Sequence, residues 1–293
     1  MEGFRGARKK RAYFEGWYCK QQNGSDTVAM IPALHIDGSG RRSASIQVIT
    51  GDDAFFCEFP PEAFQAERNR FHVRIGDSVF SAQGCSLDCR TNSGEVTGFV
   101  RYEGMIRPES DIMGPFRWAP FLQCRHSVLS LRHRVDGRLS VNGKSYVFED
   151  GSGYIEGDRG HSFPKRYLWT QHSWDGNSVM LSVADVPFGG FSFTGCIGSI
   201  LFNDKEYRIA TYCGAKLLHV SPVSATVRQK DLLFRARLMD SGGHRLRAPS
   251  AGGMTRTICE NPACRVEYKL LQGGAVLFAF ESGQASFESE WRT

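Results

Sequence analysis

The sequence has no run of about 18 apolar residues, so no helix in it is long and apolar enough to cross a bilayer. Helix signal is scarce as well. The best candidate is the short segment 61–67, with Pro61 at the start, where a missing N–H costs nothing. No apolar stretch of about 7–15 residues follows the basic group Arg5, Arg8, Lys9, Lys10 and Arg11, as a secretory leader would require. The glycines at 151, 153, 157 and 160 do not form a G-x-G-x-x-G opening a helix, which excludes a dinucleotide site. Ser162 lacks the G-x-S-x-G setting of a hydrolase nucleophile. His126, His133, His161 and His172 have no metal-ligand spacing, and His133 reads as a satisfied or rim histidine. The excess of basic residues is small, +5, and scattered among acids, so nucleic acid is not an expected partner.

Cysteine is present, nine times, but without the even count and leader of a disulfide framework. The expectation is a reducing, cytoplasmic setting with free thiols and no structural disulfide. Cys85-x3-Cys89 and Cys259-x4-Cys264 are spaced loosely like zinc ligands, but no histidine pair accompanies them. Packed thiols are the expected reading, with no metal and no cofactor.

What is abundant is strand signal. Leu129, Leu131, His133 and Val135 alternate with Val128, Ser130, Arg132 and Arg134. Asp136-Gly137, Asn142-Gly143, Asp175-Gly176 and Gly273-Gly274 suit tight hairpin turns. Asp240-Ser241-Gly242-Gly243 reads as a longer loop. Glycine, at 32 residues, exceeds the ordinary share of roughly 7%. The fold class is therefore all-β, with under about 15% helix against a usual 30–35%. A chain of 293 residues can bury one large core or two fused ones. The pattern Tyr-x-Glu-Gly occurs at Tyr13 and again at Tyr154, which suggests two halves with a boundary near 150: lobes 1–150 and 151–293.

The chemistry-bearing residues concentrate around those two repeats. On a strand, residues i and i+2 share a face, so Tyr13, Glu15 and Trp17 line one side together, as do Tyr154, Glu156 and Asp158. A carboxyl among aromatic rings loses solvation, which favours its protonated form and makes it a candidate general acid. The competing reading is an ion pair: Glu15 with Lys20 or an arginine, Glu156 with Arg159 or Lys165. Trp17, Tyr18, Tyr154, Phe163, Tyr167, Trp169 and Trp291 offer aromatic faces that stabilise a cation within about 6 Å, or simply pack a core.

Three pieces lie in the order found in a known family. They are Tyr13-Phe14-Glu15-Gly16-Trp17-Tyr18-Cys19-Lys20, Trp118-Ala119-Pro120-Phe121 running into Cys124-Arg125-His126-Ser127, and the stretch from Gly153 to Gln171. The last joins Tyr-x-Glu and a glycine-bearing turn to Phe163-Pro164-Lys165 and Trp169-Thr170-Gln171. Together they resemble the tocopherol cyclases, with Asp158-Arg159 where plant members carry Asn-Trp. The resemblance implies two lipocalin-like β-barrel lobes. It also implies a reaction in which an acid protonates a trisubstituted alkene of a prenylated quinol and the phenolic oxygen captures the tertiary cation. No cofactor is implied.

On that reading Glu156 leads as proton donor, with Glu15 and Asp158 as alternates. Tyr13, Trp17, Tyr18, Tyr154, Arg159, Phe163, Lys165, Trp169 and Gln171 would line the substrate cavity. Both Tyr-x-Glu-Gly segments would face that cavity, and Arg159 would orient a carboxylate or a phenolic oxygen. The expected partner is a hydrophobic small molecule, an isoprenoid quinol or similar, with peripheral membrane contact as the route of substrate pickup. The alternative is a lipocalin-like carrier or sensor that uses the same cavity without the acid.

Overall fold

The computed structural model of the chain describes residues 3–24, 26–120, 122–188, 190–240 and 242–291. Phe121 of the second motif and Ser241 of the expected loop lie outside the described residues. About 71% of the chain is strand and 5% is helical, all of the latter as short 3₁₀ turns. The chain divides into two compact units. Against the single boundary expected near 150, the units exchange segments. The first comprises Met1–Arg107, Cys124–Phe163 and Leu246–Thr257; the second comprises Pro108–Gln123, Pro164–Arg245 and Ile258–Thr293.

Local bonding explains both exchanges. The Gln47 side-chain amide donates to the Arg247 carbonyl at 3.0 Å and accepts from the Arg247 N–H at 2.9 Å, which ties 246–257 to the first unit. The Arg208 guanidinium donates to the carbonyls of Asp111 (3.0 Å) and Ser110 (2.9 Å), which ties 108–123 to the second.

The first unit holds an eleven-stranded antiparallel sheet. Its strands are β1 (Tyr13–Asn23), β2 (Asp26–Ile36), β3 (Arg42–Thr50), β4 (Ala54–Phe59), β5 (Phe64–Ala66), β6 (His72–Ile75), β7 (Ser78–Ser81), β8 (Gly84–Thr91), β9 (Gly94–Ile106), β10 (Cys124–Val141) and β11 (Lys144–Gly160). Neighbours follow chain order except that β1 pairs with β11, giving β4-β3-β2-β1-β11-β10-β9-β8-β7-β6-β5. The sheet curls into a nearly closed barrel, and Cys57 Sγ of β4 lies 3.3 Å from Thr91 Oγ1 of β8. The inward face is filled by Tyr13, Trp17, Cys19, Met30, Ile46, Phe80, Val100, Leu139 and Ile155, among others.

The second unit holds a ten-stranded antiparallel sheet. Its strand β12 (Tyr167–Trp174) lies between Asn177–Phe188 and Ala275–Ser289. Leu168, Leu181, Phe234, Tyr268 and Phe287 belong to its core.

Most turn expectations hold. Asn142 and Gly143 join β10 to β11 with φ of 48° and 81°, and Asp175 and Gly176 follow β12 with 40° and 80°, the positive pairs that a tight hairpin needs. Asp136-Gly137 is different: it is a bulge inside β10, with a register shift between Val135 and Gly137 and φ of 138° at the glycine. A Cβ there would lie 2.3 Å from the Phe99 carbonyl oxygen, so glycine lets β9 approach. Segment 61–67 forms one 3₁₀ turn, Pro61–Ala63, and then β5, because pairing with β6 takes its backbone groups. The glycines after Tyr154 are not a turn either, since β11 stays extended through Gly160.

Candidate functional site

Register decides which side chains meet. In the β1–β11 ladder, Tyr18 lies opposite Glu156 and Gly16 opposite Asp158, while Glu15 lies opposite Arg159 and Trp17 opposite Gly157. Paired residues share a face and neighbours along a strand alternate. Tyr18, Tyr154, Glu156 and Asp158 therefore occupy one face, and Tyr13, Glu15, Trp17 and Arg159 the other. The expectation that both Tyr-x-Glu-Gly segments face one cavity fails, because an odd offset in the register turns the two glutamates to opposite sides.

Strand β10 adds to the Glu156 face. His126 is opposite Asp158, and Cys124 is opposite Gly160. The result is a continuous polar chain. Cys124 Sγ donates to Asp158 Oδ1 at 3.3 Å, and His126 Nδ1 lies 3.0 Å from the same oxygen. His126 Nε2 lies 3.2 Å from Glu156 Oε2, an ion pair without the alignment of a hydrogen bond. The Tyr154 hydroxyl donates to that Glu156 oxygen at 2.5 Å. Side-chain exposure falls along the chain, from 23% at Asp158 to 10% at His126 and 7% at Glu156, and Tyr154 is 1% exposed. Protons therefore have one wet end from which to enter.

The electrostatics favour a charged imidazole. Burial alone would push His126 down, but Glu156 and Asp158 together outweigh it and hold the ring well above its ordinary value. Burial, then the Glu156 charge, pushes the Tyr154 phenol far up, so it stays a donor. Burial, then Asp158, likewise raises the Cys124 thiol. His126, Glu156 and Asp158 have donor atoms within 4.8 Å of one another, near enough to share a cation. However, the two imidazole nitrogens face different carboxylates, an arrangement that suits an imidazolium better than a ligand with one lone pair aimed at a metal.

On the inward face, Glu15 is held differently. The Tyr13 hydroxyl donates to its Oε2 at 2.7 Å, and the backbone N–H groups of Arg5 and Gly6 each donate to that oxygen at 2.9 Å. Burial raises the Glu15 carboxyl, opposed by these donors and by the Arg159 charge. Arg159 thus acts on Glu15, one of the ion-pair partners the sequence offered. A cleft with about 230 Å³ of empty space, part of it open to solvent, is walled by Trp17, Ser127, Asp158 and Arg159 together with Glu15, Gly3, Gly16 and Gly157.

The remaining expected residues separate. Phe163 packs edge-on against Phe14 at 5.4 Å in the first unit. Lys165, Trp169 and Gln171 belong to the second unit, where Lys165 is exposed, Trp169 is buried opposite Glu288, and Gln171 Nε2 donates to Ser173 Oγ at 3.1 Å. His126 and Cys124 are the functional candidates that sequence reasoning passed over. Both stand in the second quoted motif, two residues apart and so on one face, but only the β10–β11 register brings them to Asp158.

No family model matches the sequence, and no curated protein matches it. Among solved structures, the chain is similar to kievitone hydratase from Nectria haematococca, with a TM-score of 0.53 and 8% identity over 98% of this chain and 93% of that one. It is also similar to a candidate AttH from Nitrosomonas europaea, with a TM-score of 0.51 and 9% identity over 96% and 92%. At such identity the likeness establishes the fold alone: the chain has the lipocalin-like β-barrel architecture of these two proteins.

Proposed function

We propose that the protein is an acid–base enzyme of the tocopherol cyclase type, closing a chromanol-type ring on a prenylated quinol or a related hydrophobic phenol. The observation that carries this reading is the buried chain Tyr154–Glu156–His126–Asp158, which couples a carboxyl to a charged imidazole and a partly wet carboxylate. In the proposed cycle, His126 gives its Nε2 proton to Glu156, and Glu156 delivers it to the less substituted alkene carbon. The phenolic oxygen attacks the tertiary cation, and its proton returns to the Glu156 carboxylate and from there to the emptied Nε2 of His126, while Asp158 holds Nδ1–H throughout. Substrate and product are isomers, so no proton, electron or co-reactant is consumed. Tyr18 and Tyr154 stand on the same face and offer aromatic density to the cation.

Arg159 stands on the opposite face of β11 from Glu156 and acts on Glu15, so the reading places the substrate on the Tyr18–Glu156 face. The name of one structural neighbour, kievitone hydratase, adds support. A hydratase adds water to a double bond, and ring closure replaces the water with an internal phenol.

Incubating the unmodified protein with a prenylated quinol in D2O tests the proposal. The expected result is chromanol carrying one deuterium on the carbon that was the alkene CH. Binding without turnover across several prenylated quinols would overturn it in favour of the carrier.

A further inference from the structure

The cleft of the first unit is bordered by Glu15, Trp17 and Arg159, on the face of β1 and β11 turned away from Glu156, so the proposed cyclisation leaves it unassigned. Two rows of the sheet build it. Across β1, β11 and β10 the first row runs Trp17, Gly157 and Ser127, and the second runs Glu15, Arg159 and Arg125. Gly157 is the floor: a Cβ there would lie 3.1 Å from Trp17 Cδ1 and 3.3 Å from both Trp17 Nε1 and Ser127 Oγ. The pyrrole edge of the indole thus borders open space because position 157 has no side chain. Trp17 is 3% exposed, and among the described residues its Nε1–H donates to no acceptor. Among the same residues the Arg159 guanidinium forms no hydrogen bond or ion pair, and it acts on Glu15 only through space.

We infer that this cleft is a binding site for a small carboxylate, held over Gly157 by the Arg159 guanidinium and the Trp17 Nε1–H. The charges point to an anion. Arg125 and Arg159 are direct cross-strand partners, and like charges so placed repel each other. The two carboxylates at the cleft already have donors of their own. Glu15 is held by the Tyr13 hydroxyl and the Arg5 and Gly6 N–H groups, and Asp158 by Cys124 and His126. Ser127 Oγ gives its proton to the Gly157 carbonyl at 2.9 Å, so the donors an incoming anion meets are the two nitrogen groups. A planar carboxylate matches the fork of a guanidinium and has lone pairs left for the indole donor. About 230 Å³ of empty space, partly open to solvent, suits a small organic acid. The site is separate from Glu156 and does not depend on the cyclase reading.

The experiment follows the Trp17 indole N–H of the whole protein by proton–nitrogen NMR while sodium acetate is added at constant ionic strength. The peak is assigned by its loss in Trp17→Phe. The expected result is a saturable downfield movement of that peak, with the other indole peaks unmoved. Acetamide, of similar shape but without the charge, should leave it in place. Arg159→Gln removes a charged donor and should weaken acetate binding by about tenfold or more. Gly157→Ala puts a methyl group on the floor and should weaken it as well, and it serves as the test if Arg159→Gln folds poorly. A Trp17 peak that stays in place or never saturates, an equal response to acetamide, or an acetate affinity unchanged in either folded variant would overturn the inference. Tighter binding of inorganic phosphate than of acetate would overturn the carboxylate assignment.

Discussion

The two Tyr-x-Glu-Gly segments are nearly identical in sequence and opposite in consequence. Each places a tyrosine hydroxyl on a glutamate two residues on, Tyr13 to Glu15 at 2.7 Å and Tyr154 to Glu156 at 2.5 Å. The next partner separates them. Glu15 is completed by the backbone N–H groups of Arg5 and Gly6, donors that do not titrate, and so serves to anchor the N-terminal segment. Glu156 is completed by His126, which can give and take a proton and is linked onward to Asp158. A motif thus specifies a local hydrogen bond, while the cross-strand neighbour decides whether the carboxyl is a fastener or an acid.

The sharpest way to break this comparison is to neutralise each carboxyl in turn. Glu156→Gln keeps the shape but has no acidic proton, and we expect quinol cyclisation to fall by the roughly 10²–10⁴-fold of a lost general acid. Substrate binding, measured by fluorescence quenching, should change little. Glu15→Ala should instead leave turnover per folded molecule near normal and lower stability. It strips the acceptor from two backbone N–H groups and a buried hydroxyl, at a cost of about 1–3 kcal/mol, which denaturant unfolding would read. Equal activity losses in both variants would remove the distinction.

A third prediction concerns Gly153. A Cβ at this position would lie 2.1 Å from His133 Nε2, and His133 is buried with its Nδ1 already bonded to Ser130 Oγ at 2.9 Å. Gly153→Ala should destabilise the first unit by about 1–3 kcal/mol through overpacking, with turnover of the folded fraction retained.

The smallest expected effects are in pH dependence, and they oppose each other. The folded-state pKa of His126 lies above its unfolded value near 6.5. Its stabilisation is therefore complete below about 6.5 and is lost as pH rises through the raised value. His35 and His133 are pushed down by burial to about 4 and about 3, so the stability they carry is present above about 6.5 and lost as pH falls through those values. His133→Gln should flatten the acid limb of an unfolding-versus-pH curve, and His126→Gln the alkaline limb. A curve in which both variants flatten the same limb would contradict these assignments.

The all-β class was legible because alternation and Asn-Gly or Asp-Gly dipeptides act locally, as at Asn142-Gly143 and Asp175-Gly176. Asp136-Gly137 misled for the same reason: the dipeptide permits a positive φ, but whether the chain turns or bulges depends on β9 and β11 continuing to pair on either side. Glu156, Asp158 and Tyr154 could be grouped by strand periodicity alone. That Glu15 faces away from them, and that His126 and Cys124 join them, depends on the registers of β1 and β10 against β11, which no local pattern encodes. The exchanged segments were hidden for a related reason, since Gln47 and Arg247 meet across two hundred residues.

The central claim is that one glutamate of the pair is wired to a protonated imidazole. Nitrogen-detected NMR of His126 at pH 8, assigned through its loss in His126→Gln, tests it directly. The account predicts imidazolium shifts at both ring nitrogens, at a pH where an ordinary histidine is neutral, and collapse to a neutral-ring pattern in Glu156→Gln combined with Asp158→Asn. A neutral tautomer in the unmodified protein at that pH would contradict it.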